Sequence, residues 1–188
     1  MRRESKTMTT SPSETIPLEL ARRRVYMALF TALAIVMHVG EGLLPAPAPW
    51  FRFGFANILA VAVLYTYGAG AAWRLTLTRI GIGALLLGKL FAPGFFLSLG
   101  GGVAGLVLMT SGWRLFHRRL GPIGASALGA AGHAVGQFGV AWAILIRHEG
   151  LWQLFPLFLL FALLTGVFNG WCAIWLLDYL EQRRRMVT

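Results

Sequence analysis

The sequence predicts an all-α membrane protein with six transmembrane helices in a single domain. Of its 188 residues, 57% are hydrophobic and only 13% are charged, and the mean hydropathy is +0.67. Soluble domains carry about 25% charged residues and lack long apolar runs. The apolar content also excludes a disordered chain, because such chains have too little apolar surface to bury.

Six apolar segments give the number of helices. They lie at 25–44, 53–68, 72–91, 93–113, 122–146 and 151–177. Each is close to the roughly 20 residues that cross about 30 Å of hydrocarbon as a helix. The second segment is short and the last two are long, so the number of segments is better defined than their ends. Residues 22–180 form the predicted membrane domain.

The regions outside this domain are polar. Residues 1–21 contain Ser, Thr and Pro and are predicted to form a disordered cytosolic tail, and residues 181–188 a basic cytosolic tail. The N-terminal stretch lacks the apolar core and the cleavage site of a signal peptide. We therefore expect the first apolar segment to anchor the chain in the membrane.

The positions of the basic residues predict the orientation. The chain has 17 basic and 7 acidic residues, a net charge of +10. Cytoplasmic loops of membrane proteins are enriched in Lys and Arg. With the N-terminus inside, only Arg52, Lys89 and Arg147 lie outside, so both termini are predicted to be cytosolic and the protein to be multi-pass in the cytoplasmic membrane. Nucleic-acid binding is not expected, because the Lys and Arg residues lie between apolar segments and do not form a continuous basic surface.

No cofactor or metal is expected. Cys172 is the only cysteine, which excludes a disulfide within the chain and a cysteine-based metal site. The His and acidic residues show no metal-ligand spacing. The phosphate-loop motif G-x-x-x-x-G-K-[ST] is absent, so we expect no nucleotide to be bound by this chain.

Small residues spaced four apart indicate close helix packing. They occur at Ala28/Ala32, Gly101/Gly105, Ala125/Gly129, Gly132/Gly136 and Gly166/Gly170. Small residues let helix backbones approach each other where lipid provides no hydrophobic drive. The run Gly100–Gly102 weakens a helix, and it is interpreted either as an irregular helix that lines a cavity or as plain close packing.

Polar side chains inside the apolar segments predict a binding pocket, because ionisable groups in a membrane are costly. Most of them fall in the outer half of the bundle. The predicted pocket residues are Glu41, Asn57, Lys89, Ser98, His133 and Gln137, with Arg52 at the rim. The alternatives are solvated rim charges for Glu41, Arg52 and Lys89, and a hydrogen bond between helices for His133 and Gln137. We expect Asn169 in the inner third of the last helix and Arg79 to reach the cytosol.

The segment between the first two helices is rich in proline. Residues 44–52 alternate Pro with small residues and end in Trp50, Phe51 and Arg52. Proline stiffens the backbone, so the segment is predicted to be extended and rigid. It is interpreted either as a lid over the outer mouth of the pocket or as a simple connector.

Four stretches carry a family resemblance. They are EGLLPAPAP at 41–49, RFGFANI at 52–58, FLSLGGG at 96–102 and GAAGHAVGQ at 129–137. Through these motifs the chain resembles the bacterial Gx transporter family, which is also labelled heptaprenyl diphosphate synthase component I. The resemblance covers roughly residues 22–180. In architecture they resemble the substrate-binding S components of energy-coupling factor (ECF) transporters. Ala134 follows His133 where the family pattern has Asn, so no polar role carries over to position 134.

The resemblance implies a six-helix, S-component-like bundle with a pocket in its outer half, closed by the loop after the first helix. It also implies that Ala28 and Ala32 form the face that meets a transmembrane coupling subunit. ATP would then be hydrolysed by separate ATPase subunits.

The synthase label can be tested by composition. Prenyl diphosphate synthases hold Mg²⁺ and diphosphate with clustered aspartates, because hard cations need several carboxylate oxygens. Asp178 is the only aspartate here, which excludes a stand-alone synthase.

Three functions stay open. The first is a substrate-binding membrane subunit for uptake of a small molecule of the vitamin or cofactor-precursor class. The second is a non-catalytic accessory component of polyprenyl diphosphate or quinone biosynthesis. The third, a membrane enzyme with Glu41 and His133 as acid and base, is the weakest, because spacing alone does not place both groups at a reacting atom.

Overall fold

The described residues form a helical bundle. A computed structural model describes residues 12–43, 54–116 and 119–185. Their α-helices are α1 (Pro12–Leu43), α2 (Ala56–Tyr67), α3 (Ala69–Leu86), α4 (Pro93–Phe116), α5 (Pro122–Val140) and α6 (Gly150–Arg185), and a π-helical turn at Ala141–Leu145 extends α5. Within these residues there is no strand, so the all-α prediction is confirmed.

Four of the described helical stretches are long and apolar enough to cross a membrane: Leu18–Leu43, Pro93–Phe116, Pro122–Leu145 and Gly150–Arg183. At 12 residues, α2 is about 18 Å long, shorter than the hydrocarbon core. Helix α3 has 18 residues but includes Arg74 and Arg79. The protein is therefore a helical membrane protein in which two of the six helices lack the length or the composition of a simple span.

The two tails are shorter than the sequence predicts. Helix α1 begins at Pro12, so residues 12–21 are helical, and residues 1–11 lie outside the described part of the chain. Proline is favoured in the first turn of a helix, where its missing N–H costs nothing, and Glu14 follows it in that turn. At the other end α6 continues to Arg185 through most of the predicted basic tail.

Helix α2 lies at the centre of the bundle. Its side chains at Leu59, Val61, Val63 and Leu64 are almost fully buried. A helix that is apolar on all sides is stable only when it is surrounded. In contrast, large apolar side chains along α6 are exposed, as expected for a helix that faces lipid.

Helices α1 and α3 lie side by side and run in the same direction. The position that a Cβ on Gly83 would occupy lies 2.6 Å from Cδ2 of His38, and the corresponding position on Gly42 lies 3.0 Å from Leu87. Each residue of α1 is therefore level with the residue 45 positions later on α3. This register fixes the relative depth of the polar residues on the two helices.

Basic residues gather at one end of the bundle. The guanidinium of Arg23 lies over the ring of Tyr67 at the end of α2, 5.8 Å from its centre. The hydroxyl of Tyr65, also near that end, donates a hydrogen bond to the carbonyl oxygen of Leu120, 2.5 Å away. These contacts bring the part of α1 around Arg23, the α2–α3 turn and the α4–α5 connection together, and with them Arg74 and Arg119.

Helices α4 and α5 cross at very short range through their small residues. A Cβ on Gly132 would lie 2.6 Å from the carbonyl oxygen of Ala104, and one on Gly105 would lie 2.7 Å from that of Gly129. The predicted small-residue packing is thus present on these helices. The run Gly100–Gly102 stays regularly helical and serves both purposes, since Gly102 lines a cavity and Gly100 faces α5.

Candidate functional site

A cavity in the interior of the bundle is lined by residues of all six helices. The centre of a water molecule can move through about 100 Å³ of it. By this measure a single water needs at least about 10–15 Å³, so the cavity has room for several waters or a small molecule. Its polar lining residues are His38, Glu41, Asn57, Thr76, Arg79, Ser98, His133, Gln137, Thr165 and Asn169.

Five of the predicted pocket residues lie around this cavity, namely Glu41, Asn57, Ser98, His133 and Gln137. Gln137 and Ser98 are buried, and the other three are half-buried. The Ser98 hydroxyl donates a hydrogen bond to the carbonyl oxygen of Gly94 in its own helix, at 2.8 Å. The structure thus brings together side chains from α1, α2, α4 and α5 that are up to 96 positions apart in the sequence.

The structure does not bring Lys89 to the cavity. Helix α3 ends at Leu86, and Gly88 adopts a left-handed conformation with φ of 63°, which turns the chain away from the helix axis. Lys89 follows on this turn and is exposed. The sequence predicts a third helix that continues to Phe91, and Lys89 would then lie near the outer end of that helix, beside the pocket. Arg52 and the rest of the proline-rich loop, residues 44–53, lie outside the described residues.

Five polar lining residues are not among the predicted ones: His38, Thr76, Arg79, Thr165 and Asn169. Arg79 is only 8% exposed. Its side chain is therefore packed inside the bundle, contrary to the expectation that it reaches the cytosol. It lies ten residues after the start of α3, about 15 Å along the axis, which is too deep for its side chain to reach the surface. Placing an arginine at such depth costs about 2.5–3.5 kcal/mol on insertion scales, so intramembrane charges generally mark functional sites.

Both histidines of the cavity are seated against glycines. Cδ2 of His38 lies 2.6 Å from where a Cβ on Gly83 would be, and Cε1 of His133 lies 2.7 Å from where one on Gly101 would be. A methyl group at either glycine would overlap the imidazole. The glycines therefore define the space that these two rings occupy, and this part of the site is recognisable only once the helices are packed.

Two lining residues hold the start of α2. The carboxylate of Glu41 accepts a hydrogen bond from the backbone N–H of Phe55, and Nδ2 of Asn169 donates one to the carbonyl oxygen of Gly54. Gly54 has φ of 72°, a conformation that residues with a Cβ adopt at a cost. One oxygen of the Glu41 carboxylate is thus engaged with the backbone.

The remaining wall of the cavity is apolar. It is formed by Leu106 and Met109 of α4 and by Phe158, Phe161 and Ala162 of α6. The ring of Phe158 packs on Phe138 of α5, with their centres 4.9 Å apart. The cavity therefore combines hydrogen-bonding groups with aromatic and aliphatic surface, as small-molecule sites generally do. Among the described residues, no three His, Cys, Asp or Glu side chains are grouped to hold a metal ion.

Comparison with known proteins identifies the family. The family model for heptaprenyl diphosphate synthase component I matches residues 30–176, most of the chain. The chain belongs to the heptaprenyl diphosphate synthase component I family. No curated protein and no solved structure matches it.

The family match contains the whole cavity. Its lining extends from His38 to Asn169, within the matched residues 30–176. The match begins after Ala28 and includes Ala32, the two small residues predicted to contact a partner. Both are exposed in the structure, on a shallow groove of α1 that also includes Arg23, Arg24 and Arg74. This member of the family therefore has an internal cavity and a separate groove at its basic end.

Proposed function

We propose that this protein is a substrate-binding membrane subunit for uptake of a small molecule of the vitamin or cofactor-precursor class. The observation that carries the proposal is the cavity, to which all six helices contribute. Protein interiors are normally filled to the density of organic crystals. A bundle with only a structural role would not need a polar hollow at its centre, whereas a binding subunit does.

We further propose an N-in, C-in orientation with the basic end in the cytosol. The packing of Arg23 on Tyr67 and the contact of Tyr65 with Leu120 support it, since they gather the basic turns at one end. In this orientation the proline-rich segment 44–53 connects the helices on the outer side. That placement agrees with uptake from outside the cell.

Separate coupling and ATPase subunits of the ECF type would supply the energy for transport. The exposed small residues Ala28 and Ala32 support a contact with a transmembrane coupling subunit, because small residues let a partner helix approach. Ala28→Leu should block that association while the cavity stays intact. Leu33→Phe is the control, since this exposed residue lies about 140° around α1 from Ala28 and is not part of the groove.

A second candidate function is favoured by the family's name. That name describes one component of a synthase, so an accessory role in polyprenyl diphosphate or quinone biosynthesis would require a synthase partner. Affinity purification of the tagged chain from its native membrane separates the two candidates. A membrane coupling subunit with ATPases supports transport, and a soluble prenyl synthase supports the accessory role.

The binding function itself is tested by what the protein carries. The full chain is purified in mild detergent, extracted, and analysed by mass spectrometry for small molecules. We expect a molecule at near-stoichiometric amount in the wild type and in Gln153→Leu, an exposed position on α6. Gln137→Leu, at a buried position in the cavity wall, should lose it. Absence of any such molecule from the wild type, or equal amounts in both variants, would contradict the proposal.

A further inference from the structure

Two donor side chains line the cavity from the same face of α3. Thr76 and Arg79 are three residues apart and are 2% and 8% exposed. Among the residues that the structure describes, the Thr76 hydroxyl oxygen has no hydrogen-bond partner. Buried polar groups are nearly always satisfied, so an unpartnered hydroxyl that lines a cavity indicates a missing partner.

The backbone positions of Arg79 and Glu41 lie at different levels of the bundle. In the register of α1 and α3, Arg79 is level with Ala34, and Glu41 lies seven residues further along α1. Seven residues correspond to about 10 Å along the helix axis. Glu41 is the only acidic residue among the described lining residues, and its carboxylate holds the Phe55 N–H. Arg79 is the only Arg or Lys among the described lining residues.

Glycines of α4 lie between Thr76 of α3 and His133 of α5. A Cβ on Gly102 of α4 would contact Ile80 and Thr76 of α3. A Cβ on the neighbouring Gly101 would contact the imidazole of His133 on α5. Guanidinium and hydroxyl groups only have protons to offer to an anion, and Arg in particular binds carboxylate and phosphate oxygens with two parallel hydrogen bonds. The combination therefore fits an oxyanion.

We propose that the molecule bound in this cavity carries an acidic group, a carboxylate or a phosphate, which binds Arg79 and Thr76. Its body lies against the apolar wall formed by Phe158 and Phe161. This inference rests on the proposed binding function and adds the chemical class of the substrate.

The test uses three probes of similar shape on the full chain after any copurified molecule has been removed by extensive washing in detergent: benzoate, phenyl phosphate and the neutral benzamide. Thermal unfolding is followed by tryptophan fluorescence while each probe is titrated. We expect benzoate or phenyl phosphate to raise the unfolding temperature and benzamide to have no effect. The acid that acts at the lower concentration identifies the carboxylate or the phosphate as the preferred group.

Variants locate the effect. Arg79→Gln should raise the required acid concentration about 10- to 100-fold, the range expected for loss of a hydrogen bond to a charged group. Thr76→Val, which keeps the shape of the side chain, should give a smaller increase. Arg74→Gln, on an exposed position of the same helix, should behave as the wild type.

Other results would overturn the inference. An equal response of Arg79→Gln and wild type would place the acids elsewhere, and a wild type that responds to none of the probes has no oxyanion site. A response to benzamide equal to that to benzoate would also overturn it, but would leave the proposed binding of small molecules intact. If a neutral or cationic molecule is identified in the purified protein, the oxyanion inference is likewise overturned and the proposed binding of small molecules is kept.

Discussion

Asn169 of α6 donates a hydrogen bond from Nδ2 to the carbonyl oxygen of Gly54, 3.2 Å away, across 115 residues of chain. Glu41 of α1 accepts the N–H of the next residue, Phe55. The first N–H groups of a helix have no partner within it, so Glu41 supplies one at the start of α2. Two side chains that line the cavity thus also hold the start of α2, so the cavity wall and the position of α2 are linked.

The first prediction concerns this link. Asn169→Leu keeps the branched shape of the side chain but removes the donor. It should destabilise the protein by about 0.5–1.5 kcal/mol, because the part-buried Gly54 carbonyl loses one hydrogen bond and keeps the one from the Asn57 N–H. Amide hydrogen exchange at residues 55–58 should become faster. Gln182→Leu, at an exposed position near the end of α6, is the control. Unchanged exchange in Asn169→Leu would show that the bond does not hold α2.

The second prediction concerns the space around His38. In Gly83→Ala the new methyl group would overlap the imidazole, which must move, so we expect a loss of about 1–3 kcal/mol and less copurified small molecule. Gly81→Ala is a matched control on the same helix, because no atom lies within 4 Å of its new methyl group. It should stabilise α3 by about 0.5–1 kcal/mol. If both variants unfold at the same temperature and retain the molecule, His38 is not confined by Gly83.

The fold was predictable because lipid leaves the backbone few choices. Spanning segments must satisfy their own hydrogen bonds, so the length of an apolar run indicates a helix directly. The turns were less predictable. Nothing in the apolar pattern stops α3 at Leu86, whereas in the structure Gly88 adopts a left-handed conformation that redirects Lys89.

The site was predictable where a polar residue interrupts an apolar run, as Asn57 and His133 do. Arg79 and Asn169 were placed elsewhere because depth was measured from the predicted segment ends. Helix α6 runs from Gly150 to Arg185, and Asn169 therefore lies near its middle. Arg79 was assigned to the cytosol by its charge alone, whereas the packing of α3 in the bundle interior leaves it buried.

The third prediction concerns the crossing of α4 and α5. Gly132→Ala would place a methyl group 2.6 Å from the Ala104 carbonyl oxygen, and the two backbones must separate to admit it. We expect a loss of about 1–3 kcal/mol and a lower unfolding temperature in detergent. Gly139→Ala, on the same helix with no atom within 4 Å of the added carbon, should cause no loss. Equal stability of the two variants would mean that the helices are not in close contact at Gly132.

The fourth prediction separates residues that line the cavity from one that does not. His133→Ala and Asn57→Ala each remove a polar group from the wall, so both should carry less small molecule after purification while membrane insertion is unchanged. Lys89→Ala should carry as much as the wild type, because Lys89 is exposed on the α3–α4 turn. The measurement is the molar ratio of extracted molecule to protein, together with the amount of protein in the membrane fraction. A loss in Lys89→Ala with no loss in the other two would mean that binding occurs at the α3–α4 turn instead of inside the bundle.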